Sequence, residues 1–393
     1  MYKATEGLVM PATVTGSLPR PTWYTENLGR RSFIEAMVNS GYREQYTDAV
    51  SAYLRDQETA GLDICTDGDA RFDNEVGGYS WFSYAISRMS GFDYTDAHRP
   101  APANIGLAYK RGHILHDGLE ARINPVIVGP IGRGTLQYTA MWKVAQRLTQ
   151  KPIKFGTITA ELIGLAVRDQ HYKSRRDRIL AVAEALNQEL TELADAGCKA
   201  IQMEEPQIHL LAPRGGQDRE IDQAFMVEVF NATVKGLRAK TEIWAHSCWG
   251  NPSQQRILAE TPSYAHALDD YNRCDADVIT FETCSSGGRD LEAIGKRITG
   301  KKIAIGVIDH HTLQVERPEE VATLIRTALK HIPAERLVLS SDCGMGREGM
   351  SRRHAFYKMA ALVQGANMVR REMGLPEALC LAAEPRFSLT EGS

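Results

Sequence analysis

A histidine and a cysteine two residues apart close the apolar run Ile243-Trp244-Ala245-His246-Ser247-Cys248. On an extended strand residues i and i+2 share a face, so both side chains can reach one metal ion. Downstream, Phe281-Glu282-Thr283 and Ser341-Asp342-Cys343-Gly344 place a carboxylate and a second thiol where two more apolar runs stop. These strand ends offer donors of the kind that zinc takes. The plainer account of the first pair is a small buried thiol beside a hydrogen-bonded core imidazole.

Other run ends carry titratable groups. In Gly306-Val307-Ile308-Asp309-His310-His311-Thr312, an imidazole stands beside a carboxylate able to orient it, which is what a general acid requires. On a strand His310 and His311 point opposite ways, so one of them is left to satisfy a backbone carbonyl. Met203-Glu204-Glu205-Pro206 sets two acids after a buried run, costly unless they are paired or used. Asp67-Gly68-Asp69-Ala70-Arg71 holds two carboxylates and a guanidinium, for a ligand or for a solvated turn with its own ion pair. In Thr15-Gly16-Ser17-Leu18-Pro19-Arg20, Gly16 allows a backbone to approach a ligand and Arg20 can clamp a carboxylate, although the same residues make good turn chemistry. Cys274 and Cys284 lack ligand spacing and read as structural.

The elements that must position these groups repeat. Apolar, β-branched runs fall at about 11–16, 62–67, 152–158, 198–203, 242–248, 277–282, 302–308 and 337–342, most of them followed by a helical pattern. Eight is the count of a closed parallel (β/α)8 TIM barrel, whose strands bring their carboxyl ends to one face. A doubly wound open sheet stays open as an alternative, without a Gly-x-Gly-x-x-Gly turn after the first strand to favour it. Ile179, Val182, Ala183, Leu186, Leu190 and Leu193 mark a helix over 174–196 that Gly197 ends. The region 72–151 is too long for a crossover and reads as an insertion after the second strand carrying a hairpin or small sheet over the strand ends. Residues 1–393 are otherwise one domain, with little periodicity after Pro376.

The net charge of −3 with scattered Lys and Arg excludes a basic stripe for nucleic acid, and the longest apolar stretches fall short of a membrane span. Seven cysteines at irregular spacings do not make a disulfide framework. The N-terminal residues lack a signal-peptide layout, and the expected address is the cytoplasm. Association with further copies of the chain is left open.

Taken in order, Thr15-Gly16-Ser17-Leu18-Pro19, Asp67-Gly68-Asp69, Gln202-Met203-Glu204-Glu205-Pro206, His246-Ser247-Cys248, Phe281-Glu282, Gly306 to His311 and Asp342-Cys343-Gly344 resemble the catalytic half of cobalamin-independent methionine synthase. That resemblance implies a Zn2+ ion held by His246, Cys248, Glu282 and Cys343. It also implies an amino-acid thiol near Gly16 and Ser17 with its ammonium facing Asp69 and Glu204, and His311 as proton donor to the leaving group. Two features depart from the family. Its acids at the positions of Asp69 and Glu204 are typically Glu and Asp, so the side-chain lengths are exchanged. The chain also begins near the catalytic half and resembles short, single-barrel relatives, as does Trp249-Gly250-Asn251-Pro252.

The resulting expectation is a zinc-dependent transferase that methylates a small-molecule thiol, homocysteine, from methyl-folate or another methyl donor, giving methionine. A zinc-dependent epoxide:thiol transferase of the coenzyme M type is the competing enzyme. A structural zinc without catalysis, and tetrapyrrole decarboxylation, are the other readings.

Overall fold

The computed structural model describes residues 3–73, 79–93, 125–204, 207–211, 220–250, 261–346 and 349–384. Nine strands lie among them: β1 Ser90–Asp93, β2 Val126–Gly132, β3 Lys154–Ile158, β4 Arg168–Asp169, β5 Ala200–Glu204, β6 Glu242–Ser247, β7 Val278–Phe281, β8 Lys302–Ile308 and β9 Leu337–Ser341. Six of these form one parallel sheet in the order β3-β5-β6-β7-β8-β9. Two segments without ladders of their own close it into a barrel. Ala12 bridges Leu339 on β9 in parallel, and Cys65 bridges Ile153 just before β3. Asp63 N donates to Ala12 O at 2.9 Å, joining the two segments. The runs expected at 11–16 and 62–67 thus occupy the first two barrel positions as single bridges. Pro11 has no N–H to donate, and positive φ at Gly16 (66°) and Gly68 (66°) turns each segment away soon after its bridge.

Alternation along the strands sorts the barrel interior into layers. Ile64, Ala200, Trp244, Val278, Ala304 and Val338, with Ala4, make a fully buried apolar layer. Two residues further along the same strands, the inward positions are Gln202, His246, Thr280, Gly306 and Ser340. The interior therefore turns polar toward the carboxyl ends, where a site can be built. The opposite end is plugged by the N-terminal segment: Lys3 N and Thr5 N donate to Glu242 Oε2 at 2.9 and 3.1 Å, and Lys302 Nζ donates to Thr5 O at 2.7 Å.

Helices pack outside. Ser174 caps the helix Arg175–Asp195 through Asp177 N, and the expected stripe of Ile179, Val182, Leu186, Leu190 and Leu193 is buried. Within 72–151 lie the helix Tyr79–Ile86 and strands β1 and β2, and the two strands form the antiparallel pair of a small sheet. Its third strand, β4, comes from beyond β3 and pairs in parallel with β2, so the small sheet is not confined to the insertion. The alternating residues 104–124 lie outside the described residues, as do Glu205, Pro206, Asn251, Pro252 and the end of the tail, 385–393. The tail as far as 384 packs on the fold, Asn367 exchanging hydrogen bonds with Ala378 N and O at 2.9 and 2.7 Å.

The loop after β8 is clamped from the last long helix, Arg352–Glu372. Lys358, fully buried, donates to Asp309 O (3.0 Å), Gln314 O (2.6 Å) and Glu316 Oε1 (2.9 Å). Removing one partner of such a pair strands a buried charge. K358M is therefore expected to lose about 3–5 kcal/mol in urea unfolding. R326A, which breaks the exposed Arg326–Glu372 pair, should leave the urea midpoint close to that of the parent in the same experiment.

Candidate metal and substrate site

His246, Cys248 and Cys343 place one donor atom each within 4.8 Å of one another, and all three residues are buried. They arrive on the carboxyl ends of β6 and β9. The Cys248 and Cys343 sulfurs are 3.4 Å apart. That is too long for a disulfide of about 2.05 Å. It approaches the roughly 3.8 Å edge of a tetrahedral zinc site with bonds of about 2.3 Å. His246 Nδ1 is 2.6 Å from Thr280 Oγ1, which sits beside it in the β6–β7 register. Nε2 is buried without a hydrogen-bond partner among the described residues. Burial, with the nearby Lys154 and His209 charges, pushes the imidazole pKa down to about 3. A neutral ring with a bare nitrogen beside two thiols fits a zinc ion, whose ligating histidines must be unprotonated.

Glu282, expected from the resemblance as the fourth ligand, is adjacent but outside that trio. Its Oε2 accepts from Trp249 N at 2.7 Å, and its Oε1 accepts from Ser285 Oγ at 2.6 Å and lies 3.8 Å from His311 Nε2. The carboxylate thus meets the backbone N–H just after Cys248 on one oxygen and faces the His311 ring with the other.

A second group forms beside this one. Asp69 holds φ 53°, an uncommon conformation for a residue with a side chain. Its Oδ1 accepts from Arg71 at 2.9 Å, while Arg71 also donates to Gly156 O at 2.8 Å. The guanidinium is packed among Phe72, Phe155, Tyr84 and Tyr138. Asp69 Oδ2 is buried with no hydrogen-bond partner among the described residues. Burial drives the Asp69 pKa well up, Arg71 opposes this, and the Glu204 charge adds to it. Gly156 is what lets the two acids approach: a Cβ there would sit 2.6 Å from Glu204 Oε1 and 3.9 Å from Asp69 Oδ1.

Gly16 and Ser17 join the acids to the metal-type trio. A Cβ on Gly16 would lie 2.8 Å from Gly344 Cα and 3.9 Å from Glu204 Oε1. Gly346 N donates to Ser17 O at 2.7 Å, and Leu18 N donates to Gly68 O at 3.1 Å. Ser17 Oγ is buried without a hydrogen-bond partner among the described residues. Arg20, read from sequence as a carboxylate clamp, does not have that role here. It donates to Tyr24 O (2.7 Å), Phe72 O (2.6 Å) and Glu26 O and stacks on the Tyr24 ring, so the turn consumes it.

On the third side, His311 Nδ1 is 2.8 Å from Asp309 Oδ1. Burial alone would raise Asp309, but hydrogen bonds from the His311 ring and backbone outweigh it and hold the carboxyl below its usual range. His310 does not point away from His311: β8 has ended, and the rings are 3.8 Å apart between centroids, with His310 Nε2 3.3 Å from Gly250 O. Cys274 and Cys284 lie outside the trio, as expected, and burial pushes both thiols well up.

Three supporting residues were not given a role from sequence. Asp342 accepts from Thr283 N (2.9 Å), Cys284 N (2.8 Å) and Ser285 N (2.8 Å), fixing the turn that carries Glu282. Thr280 was detectable as the inward residue two before Glu282. His209 had no signal: it follows a strand end in an ordinary short helix, yet its Nε2 is 2.7 Å from Cys248 O and its Nδ1 2.6 Å from Tyr271 OH.

The family model of the cobalamin-independent synthase catalytic domain matches residues 101–368. The chain belongs to that family. It is 30% identical over 368 residues to methionine synthase of Saccharolobus solfataricus, covering 93% of this chain and 96% of that one. It is 28% identical over 395 residues to 2-hydroxypropyl-CoM lyase of Xanthobacter autotrophicus, covering 94% and 97%. Among solved structures, the B12-independent methionine synthase of Shewanella sp. W3-18-1, in complex with selenomethionine, superposes with a TM-score of 0.72 at 26% identity over 93% of this chain and 99% of that one. The B12-independent family places this chain among methyltransferases that transfer a methyl group to a thiol, on a TIM barrel. No helix among the described residues is long and apolar enough to cross a membrane.

The Thr280 contact gives a direct test of the ligand set. Outer-shell partners of a ligating histidine are worth about 10–100-fold in metal affinity. T280V is expected to weaken zinc by that factor in chelator competition while leaving the thermal transition near that of the parent.

Proposed function

We propose that this protein methylates homocysteine, giving methionine, with zinc held by His246, Cys248 and Cys343 and by Glu282 as the fourth donor, and with methyl-folate or another methylated donor as the second substrate. The observation that carries the reading is the meeting of two unlike groups at one barrel mouth. A soft, buried His-Cys-Cys trio for a thiol adjoins an acid pair that presents Asp69 Oδ2 with no hydrogen-bond partner among the described residues. Zinc bound there would act as a Lewis acid that lets a thiol lose its proton at neutral pH and keeps the sulfur nucleophilic.

The chain's own residues do the rest. Asp69 and Glu204 hold the ammonium and fix the sulfur's approach, and Ser17 Oγ with the backbone at Gly16 lines the amino-acid end. Their burial strengthens each contact. Asp309, kept ionised, orients the His311 ring through Nδ1, leaving Nε2 to hand a proton to the departing group. A methylated amine leaves poorly until it is protonated. A coenzyme M-type thiol would instead bring a sulfonate against two carboxylates, which the acid pair opposes.

H311N is expected to lower kcat for methyl transfer to homocysteine by about 10²–10⁴ with little change in homocysteine KM. Unchanged turnover in H311N would indicate that His311 is not the proton donor. Turnover of coenzyme M with an epoxide, and none of homocysteine, would replace the proposal with the competing chemistry.

A further inference from the structure

One peptide unit decides where the Cys248 sulfur sits. Cys248 stands beyond both ladders of β6, whose last pairs are His246 with Glu204 on β5 and Ser247 with Phe281 on β7. The sheet therefore fixes His246 but leaves Cys248 to other contacts. A peptide is planar, so the two units flanking the Cys248 Cα set its φ and ψ and leave only χ1 to aim the sulfur. The unit before it is held at Ser247 O, which accepts from Tyr264 OH at 3.2 Å. The unit after it is held at both ends: Trp249 N donates to Glu282 Oε2 at 2.7 Å, and His209 Nε2 lies 2.7 Å from Cys248 O. A carbonyl only accepts, so Nε2 carries a proton and donates it there.

His209 is built as a rigid arm for that bond. Its ring is fully buried, with Nδ1 2.6 Å from Tyr271 OH and the Trp249 ring edge-on at 4.5 Å between centroids. The short helix Ile208–Leu211 that carries it is tied down on three sides. Gln207 N donates to Glu161 Oε1 (3.1 Å), Gln223 Nε2 donates to Ile208 O (3.1 Å), and His266 Nε2 is 2.9 Å from His209 O. Glu282, at the other end of the same peptide, divides its carboxylate among Trp249 N, Ser285 Oγ and the face toward His311. In the proposed site it is also the fourth metal donor. The Glu282 end of the peptide is thus shared with the metal; the His209 end is not, since both ring nitrogens are engaged elsewhere.

We infer that His209 is a positioning residue of the metal site: through its Nε2–H it holds the Cys248–Trp249 peptide and so aims the Cys248 sulfur at the point shared with His246 and Cys343. This rests on the reading of that trio as a zinc site. Without the bond, the carbonyl of Cys248 would lose a buried partner and the peptide could turn about its flanking dihedrals, carrying the thiol off the other two donors. The connection after β5, the strand that carries Glu204, thereby also helps to place a metal ligand.

Two amides separate this role from packing. A glutamine side chain places its amide nitrogen near the reach of Nε2, whereas asparagine reaches only as far as Nδ1. H209Q can therefore donate to Cys248 O, while H209N can meet only Tyr271. Chelator competition measures zinc affinity, and the thiolate-to-metal charge-transfer band of the cobalt-loaded protein reports the Cys248 bond. H209N and H209L are expected to lose about 10–100-fold in zinc affinity and to weaken the band, while H209Q stays close to the wild type. Y271F, which leaves the Nε2 bond in place, should also bind zinc like the wild type. A role in packing alone would lower the thermal transition of the zinc-free protein in H209N and H209Q alike and leave their zinc affinity unchanged, which would overturn the inference. Zinc loss in H209Q as large as in H209L overturns it as well, and that comparison decides the matter if H209N does not fold. A wild-type protein that takes up no zinc overturns the metal reading of the trio together with this inference.

Discussion

Buried charge must be balanced, and the upper half of this barrel is arranged around that constraint. Alternation along the parallel strands points Gln202, Glu204, His246, Thr280 and Asp342 inward, where water is excluded and each polar group needs a partner. The solutions are local and distinct. Asp69 takes Arg71, itself seated among aromatic rings, and Asp342 takes three backbone N–H groups. What these pairings leave over is informative: His246 Nε2, Ser17 Oγ and Asp69 Oδ2 are buried atoms the described residues do not satisfy. They cluster at the strand ends, where a metal ion and a polar substrate would satisfy them.

Much of this was legible in the sequence because parallel strands buried on both faces are nearly continuous apolar runs. The runs at 152–158, 198–203, 242–248, 277–282, 302–308 and 337–342 appear as β3 and β5 to β9 with ends moved by a residue or two. Cys248 and Cys343 were legible for the same reason, each standing just past such a run. The first two barrel positions were legible as runs but not as single bridges, since pairing there depends on Pro11 and on two glycine turns. Arg20 misled because the carbonyls that use it belong to a turn and to Phe72, remote in sequence. His310 misled because strand alternation was carried past the end of β8. The packing of His209 against Cys248 O left no local pattern to read.

The two acids of the second group reach each other unequally. Asp69 is the shorter acid and is held by Arg71, while the longer Glu204 reaches across Gly156 toward it. A side chain at 156 would occupy that path. The two carboxylates meet across Gly156, with the Cys343 loop beside them through Gly16 and Gly344. In the proposed reaction the ammonium and the sulfur would be held by the same short loops.

The central claim is that the thiol acceptor binds through a metal held by this trio. Zinc K-edge absorption on the zinc-loaded protein, with and without homocysteine, tests it directly. Two sulfur neighbours, from Cys248 and Cys343, should rise to three when homocysteine is added. A shell that keeps two sulfurs with homocysteine bound, or a protein that takes up no zinc, would contradict the account.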